Sequence, residues 1–316
     1  MTHLEKVVLQ GVCSETPQSD VSRAAVGRLA KTLATRRLHT CHSDTVVFQG
    51  APENCLQGIL ENPHLRSFML SRSYGAGQIR HPFSLNRVAP FLGGCPGLSH
   101  LSLIGLRRLN PHLTEGISGL SCLRELELHI ENFHNHVPPG TRPLLEGVQP
   151  LFEAFQACRH LTTLKVHAER ITRTDLAALT PFLKRNQLGH LTLIFREQVL
   201  DAGTDAEQPS PLLTALPDMT RLTYLSLERA GLRAQDGIHV AALLPGLERL
   251  STLSLQGMPL GWEAVQHIVD AAEVHPMCQE LICSDCQGAP ENPYFSDEQR
   301  EELHRRAPSL TYFQLC

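Results

Sequence analysis

Four residues late in the chain carry the spacing of a metal site. His275, Cys278, Cys283 and Cys286 read H-x2-C-x4-C-x2-C, and imidazoles and thiolates at such intervals are the ligands a tetrahedral zinc ion takes. Histidines gather again at His129, His134 and His136, with His160 and His167 beyond. No carboxylate or cysteine stands at a fixed interval from these, so a solvated loop accounts for them. Gly75-Ala76-Gly77 lacks the third glycine of a dinucleotide fingerprint. The chain has no phosphate-binding loop, no nucleophile elbow and no H-E-x-x-H helix. Nothing in these patterns assigns a catalytic residue or a cofactor, and the expectation is a protein that is not an enzyme.

Charge is distributed more tellingly. Residues 62–114 hold no Asp or Glu, yet contain Arg66, Arg72, Arg80, Arg87, Arg107 and Arg108, with His64, His81 and His100. Arginines without a lysine suit planar, bidentate capture of a carboxylate or phosphate. The complementary feature is an acidic loop with Glu197, Asp201, Asp205 and Glu207. The expected ligand of the arginine stretch is therefore an acidic or phosphorylated segment of a protein partner, with Arg66, Arg72 and Arg80 among its contacts. The net charge of −4 argues against a general binder of nucleic acid or membrane surfaces.

These side chains need a frame, and the frame is a repeat. The pattern L-x-x-L-x-[LV] starts at Leu98, Leu123, Leu161, Leu188, Leu222 and Leu250, with looser copies at Leu4, Leu38, Leu65, Cys278 and Leu310. Self-similarity at intervals in the twenties and thirties signals a stacked architecture. Side chains alternate along a strand, so Leu225 and Leu227 point one way and Ser226 the other. One such strand cannot bury its apolar face alone, whereas stacked copies can. Under this register Cys278 takes the first apolar place, Cys283 the sixth and Cys286 the ninth. The repeat thus explains the cysteines without a metal, and stretches two of them along one strand, which is poor tetrahedral geometry.

Between strands, apolar residues recur at three-and-four spacing over 174–184, 236–250 and 262–274, and helices are expected there. Further helices are expected over 22–37, 54–60, 84–92 and 144–157. Thr174, Asp236 and Ser296 occupy N-cap places, and Ser296 with Gln299 reads as a capping box.

Strand motif, helix and interval together resemble the leucine-rich-repeat family, nearest its ribonuclease-inhibitor-like branch, over residues 4–316. The resemblance implies one α/β domain, 1–316: a curved horseshoe of about eleven repeats, parallel sheet on the concave face, helices on the convex face. The family's Asn or Cys at the ninth place is met only by Cys286, the others being residues such as Leu106, Glu169, Ala230 and Met258. Similar repeats form the substrate-receptor arm of F-box ubiquitin ligases, which implies a non-catalytic interaction scaffold. The alternatives are a regulator of an enzyme (an inhibitor or a GTPase-activating repeat protein) and a microbial effector.

On that frame the concave face carries His100, Arg124, Lys165, His190, Tyr224 and Tyr312 beside Arg66, and these are the expected partner contacts. Polar, with Tyr and Arg anchors, it suits a wet protein interface rather than a deep apolar pocket. Longer intervals place their extra residues after the strand and before the helix, at 10–21, 71–83, 129–142, 196–211 and 287–295, which marks one rim as the decorated edge. Both terminal strands read as uncapped, so a neighbouring domain or another shield is expected there. No signal peptide opens the chain, no apolar run reaches a membrane span, and the ten cysteines do not flank the repeats in pairs; cytosol or nucleus is the expected compartment.

Overall fold

A computed structural model describes residues 5–9, 28–29, 31–33, 35–44, 53–71, 88–106, 111–130, 148–185, 187–198, 209–284, 286 and 295–315. Every repeat motif in it becomes a strand, and every strand begins two residues after the motif's first residue. The strands are β1 (Lys6–Leu9), β2 (Thr40–Asp44), β3 (Ser67–Ser71), β4 (His100–Leu106), β5 (Glu125–Ile130), β6 (Thr163–Ile171), β7 (His190–Gln198), β8 (Tyr224–Glu228), β9 (Thr252–Gln256), β10 (Glu280–Ser284) and β11 (Tyr312–Leu315). The chain forms two compact units, 1–146 with 154–161 and 147–153 with 162–316.

In the first unit β1 to β5 pair in chain order, all parallel. In the second, β6 to β11 do the same, again in parallel. Parallel neighbours require a crossover, and the segments between strands supply it. Helices lie at Glu53–Leu60, Ala89–Leu92, Pro111–Ser118, Gln149–Ala154, Arg173–Arg185, Ala234–Leu243, Gly261–Glu273 and Asp297–Arg306. This is a leucine-rich-repeat solenoid of the α/β class, with eleven strand units among the described residues.

The inward rows are aliphatic and dry. In the second unit Leu164, Leu191, Leu225, Leu253 and Leu281 stand in register, and so do Val166, Leu193, Leu227, Leu255 and Cys283; all ten are fully buried. Cys41, Phe68, Leu101 and Leu126 form the matching row of the first unit. The ninth place, without its asparagines, is filled by packing: Leu106, Ala230, Met258 and Cys286 are buried. Cys286 supplies the polar tie in its repeat, its thiol donating to the Leu255 carbonyl at 3.4 Å.

A second tie recurs at most of the described strand entries. The carbonyl of the residue before one strand accepts two successive amides from the next repeat: Arg66 O takes Ser99 and His100, Ser99 O takes Arg124 and Glu125, Gly189 O takes Thr223 and Tyr224, Thr223 O takes Ser251 and Thr252, Ser251 O takes Gln279 and Glu280. Hydroxyls reinforce it. Ser99 Oγ, Thr223 Oγ1 and Ser251 Oγ donate to these same carbonyls at 3.0, 2.8 and 2.9 Å.

Helix boundaries differ from expectation in instructive ways. The 236–250 stretch is helical only to Leu243 and tightens into a 3-10 turn at Leu244–Gly246, because Pro245 has no amide to continue the ladder. The 144–157 stretch likewise ends in a 3-10 turn at Phe155–Ala157. Ser296 caps as expected, with Gln299 N donating to its hydroxyl and its own amide donating to Gln299 Oε1. Thr174 does not cap. Thr172 does, in a reciprocal box with Asp175: the Thr172 amide donates to the carboxylate at 2.8 Å, and the Asp175 amide to the Thr172 hydroxyl at 3.1 Å. Asp236 is not an N-cap either. It sits one turn inside its helix and accepts from the amides of Arg233 at 3.0 Å and Ser210 at 2.8 Å. Gly237 lets this helix lie against Gly261–Glu273, since a Cβ there would meet the Ala264 methyl at 2.8 Å.

Candidate interaction face

Pleating that buries the leucines sends the alternate residues outward, and parallel pairing sets them in rows. In the second unit the first outward row is Thr163, His190, Tyr224, Thr252, Glu280 and Tyr312; the next is Lys165, Thr192, Ser226, Ser254, Ile282 and Gln314. Rows of this kind bring expected site residues together. His190 and Tyr224 become neighbours and stack, ring centroids 4.1 Å apart and planes 4° from parallel. His190 Nε2 also lies 3.2 Å from the Thr192 hydroxyl.

Most polar side chains on this face are held by one another. Thr252 Oγ1 donates to Glu280 Oε2 at 3.0 Å, Gln256 Nε2 to Ser254 Oγ at 2.7 Å, Ser284 Oγ to Gln256 Oε1 at 3.1 Å, and Tyr312 Oη to Gln314 Oε1 at 2.7 Å. Ser226, Thr252 and Ser254 are buried at the floor, while Glu280 is exposed and Tyr224 half-buried above it. Lys165 is half-buried in the same surface, and Tyr312 is exposed.

In the first unit the outward rows are Lys6, Thr40, Ser67, His100 and Glu125, then Val8, His42, Met69, Ser102 and Glu127. His100 Nε2 lies 3.2 Å from Glu125 Oε1, and its Nδ1 lies 2.7 Å from Ser99 Oγ. Ser102 donates to Glu127 Oε2 at 2.8 Å, and His129 stands 3.3 Å from Glu127 Oε1. Burial, and then the Lys6 ammonium, hold His42 below the ordinary histidine pKa. Arg124 is exposed just before β5.

The serine, histidine and glutamate line up in the order of a nucleophile, a base and an orienting acid. Position in the repeat gives Ser99 another task. Its hydroxyl reaches the Arg66 carbonyl, as Thr223 and Ser251 reach theirs in repeats with no histidine beside them. The strand pattern places Thr252 on the face, but it does not connect Ser99, Glu125 or Glu280 with it. Partners one repeat away lie 25 to 34 residues off in sequence and become adjacent only through the register.

Arg66 is spent locally. Its Nη1 donates to the carbonyls of Pro63 at 3.0 Å and Leu65 at 3.1 Å, and the head group fills the space beside Gly97, where a Cβ would collide with it. Arg72 and Arg80 lie outside the described residues, as do Arg87, Arg107, Arg108, His134, His136 and the acidic side chains of 197–207. So does most of each rim insertion.

The spacing His275, Cys278, Cys283, Cys286 resolves into packing. His275 uses both nitrogens: Nε2 to the Leu247 carbonyl at 3.2 Å, Nδ1 accepting from the amides of Met277 and Cys278 at 3.2 and 3.0 Å. A hydrogen bond with Cys286, and then burial, hold the Cys283 thiol well above its usual pKa; burial pushes Cys278 to about 11. Among the described residues no three His, Cys, Asp or Glu side chains gather as a metal would need, and no described helix is long and apolar enough to cross a membrane.

No family model matches the chain, and none of the curated proteins does. Among solved structures it is similar to the crystal structure of a TLR13–ssRNA13 complex, at 18% identity and a TM-score of 0.41, over 88% of this chain and 31% of that one. The chain thus spans less than a third of that neighbour's length.

Proposed function

We propose that this chain is a non-catalytic interaction scaffold that engages a partner protein through the outward rows of its strands and the strand-to-helix rim. The observation that carries the reading is the pre-organisation of the second unit's face. A stacked His190–Tyr224 pair and a mesh of side-chain hydrogen bonds hold rotamers that an interface would otherwise have to freeze, which is where binding free energy is lost. Tyrosine with satisfied polar neighbours suits a wet interface. The finer reading is the substrate-receptor arm of a ubiquitin ligase, supported by the repeat type alone. Cys41, Cys95, Cys122, Cys158, Cys278, Cys283 and Cys286 are free thiols, which supports a reducing compartment, cytosol or nucleus. Arg72 and Arg80, with His100 and Arg124, remain the proposed contacts for an acidic or phosphorylated segment. Regulation of an enzyme stands as the alternative class. It requires a rim arginine whose loss removes rate without affinity.

Affinity purification with quantitative mass spectrometry tests this. Wild type is compared with Arg124→Glu and Lys165→Glu on the face and with Gln266→Glu on a helix. A genuine partner falls in recovery with at least one of the face variants, Arg124→Glu on the first unit or Lys165→Glu on the second, and survives the helix variant. Equal recovery from all four proteins overturns the scaffold reading. Absence of ligase core subunits among face-sensitive partners overturns the ubiquitin version alone.

A further inference from the structure

The scaffold reading, on which this inference rests, leaves the partner's anion without a defined seat. The turns that lead from one helix into the next strand form the rim opposite the insertions. In the first unit two neighbouring repeats crowd basic groups onto it: Arg36, Arg37 and His39 in one, His64 and Arg66 in the next. All are exposed except His64, which is half-buried. Backbone bonds set them side by side. The His39 carbonyl accepts the amides of Arg66 and Ser67 at 2.8 and 2.9 Å, so His39 and Arg66 stand one strand spacing apart, about 4.8 Å. Asn62 Nδ2 donates to the Arg36 carbonyl at 2.7 Å, which ties the Arg36–Arg37 turn to the same place. The His39 and His64 rings lie 6.3 Å apart, edge to face.

Arg66 is aimed by its local ties. They occupy Nη1 alone, through the carbonyls of Pro63 and Leu65 at 3.0 and 3.1 Å. Gly97 preserves that placement, since a Cβ there would collide with Nη1. Neutral acceptors thus hold the rotamer and leave its charge uncompensated. Among the described residues no acceptor meets Arg66 Nε or Nη2, and no carboxylate pairs with Arg36, Arg37 or Arg66. Nε and Nη2 form the side-on edge of the guanidinium fork, which takes two oxygens of one anion. Two acids share these repeats, Glu5 before β1 and Glu61, whose carboxylate Gln57 Nε2 holds at 2.7 Å. Three guanidiniums outnumber them, and a rotamer fixed in advance removes part of the cost of binding.

We propose that this rim receives a phosphorylated serine or threonine of the partner protein, with two phosphoryl oxygens on the Nε–Nη2 edge of Arg66 and the remaining charge met by His39 and the Arg36–Arg37 turn. A phosphoryl group brings about 1.5 to 2 negative charges and three acceptor oxygens. A carboxylate brings one charge and two oxygens, both taken up by the Arg66 edge. Each imidazole carries an N–H donor in either tautomer, so His39 can serve the third oxygen. The extent of the patch selects one modified residue over a nucleic acid. Its cations stop after two repeats, and the next turn is Gly93, Gly94, Cys95, Pro96 and Gly97, without charge. A nucleic-acid strand repeats its phosphate at every nucleotide and would be met by cations along successive repeats.

Titration of the intact, isotope-labelled chain with N-acetyl-phosphoserine amide tests the seat, read by the Arg66 Nε–H and His39 ring resonances. N-acetyl-glutamate amide, inorganic phosphate and hexauridylate are the comparisons. The proposal expects saturable shifts with the phosphoserine amide, at least threefold weaker binding of the glutamate amide, and no tighter binding of inorganic phosphate. Arg66→Gln weakens phosphoserine binding about tenfold, as loss of a charge-assisted pair does. Gly97→Ala leaves every charge in place and displaces the Arg66 head group; it weakens binding about threefold through the lost placement. Arg249→Gln, on the same rim of the second unit, changes nothing. Unchanged strand amide resonances verify that the variants are folded. No shift at millimolar phosphoserine amide, an equal response to the glutamate amide, or indifference to both Arg66→Gln and Gly97→Ala overturns the seat. Tighter binding of inorganic phosphate, or of hexauridylate at equal phosphate concentration, overturns the assignment to a modified protein residue. The Lys165→Glu and Arg124→Glu capture experiment is unaffected by these results, so failure here leaves the scaffold reading standing.

Discussion

His275 of one repeat donates its Nε2–H to the carbonyl of Leu247 in the repeat before, across 28 residues of chain. Its Nδ1 accepts two backbone amides, so one buried ring satisfies three backbone groups and fixes its own tautomer. This relationship turns an apparent metal ligand into a structural cross-tie.

Removing it has a calculable cost. His275→Ala leaves a carbonyl and two amides without partners in a buried site, and each unmet group is worth roughly 1–3 kcal/mol. A loss of about 3 kcal/mol is expected in urea unfolding. His267→Ala, whose ring is exposed and only 4.0 Å from Glu263, should cost under about 0.5 kcal/mol. Equal effects would show that the cross-tie contributes nothing.

Asp236 does for two repeats what Asp175 does for one. Asp236→Ala strips acceptors from Arg233 N and the buried Ser210 N, whereas Asp175→Ala opens only the Thr172 box. Expected losses are about 2–3 kcal/mol for Asp236→Ala and about 1 kcal/mol for Asp175→Ala, from the ranges for buried charged acceptors and caps. Hydrogen exchange at Ser210 N gives a direct reading, accelerating only in the Asp236 variant.

The buried thiols set an alkaline boundary. Burial pushes Cys41 to about 12, Cys158 to about 11, and Cys95, with a smaller contribution from Glu61, to about 12, against 9.0 unperturbed. The folded chain thus holds these protons where the unfolded chain has released them. The stabilisation is complete below pH 9 and is lost as pH rises toward 11–12. At pH 8 a thiol reagent should modify the exposed Cys122 before any other described cysteine, with the buried ones reacting only on unfolding. Mass spectrometry of the labelled peptides checks the order.

His42 behaves oppositely. Burial first and Lys6 second lower its pKa below 6.5, so the native state binds its proton less readily than the unfolded chain. That contribution to stability is full above pH 6.5 and declines as pH falls through the lowered value. Lys6→Ala should move the His42 ring titration upward in NMR. No movement would assign the shift to burial alone.

The frame was legible because its signal is periodic and redundant. Leu225 and Leu227 must go inward together, and every strand starts at the same offset from its motif. Caps were harder, since Thr172 and Thr174 offer the same hydroxyl. Thr172 wins because Asp175 stands three residues on to return the hydrogen bond, while Thr174 has Ala177 at that distance. Asp236 depends on Ser210, a partner in the preceding repeat that no local pattern announces. The same limit applied to the face. Tyr224 and His190 were both read as contacts, yet their stacking, and the role of Glu280, follow only from the pairing of β7 through β10. Arg66 went the other way: its charge was visible, and its commitment to Pro63 and Leu65 was not.

At most of the described strand entries one carbonyl takes two amides from the next repeat, as at Arg66, Ser99, Gly189, Thr223 and Ser251. A joint of one standard pattern makes neighbours interchangeable in the backbone while their outward side chains stay free to vary. Lineages can therefore lengthen, shorten or reorder such a surface by duplicating or deleting whole segments, and change what it recognises without renegotiating how it is fastened.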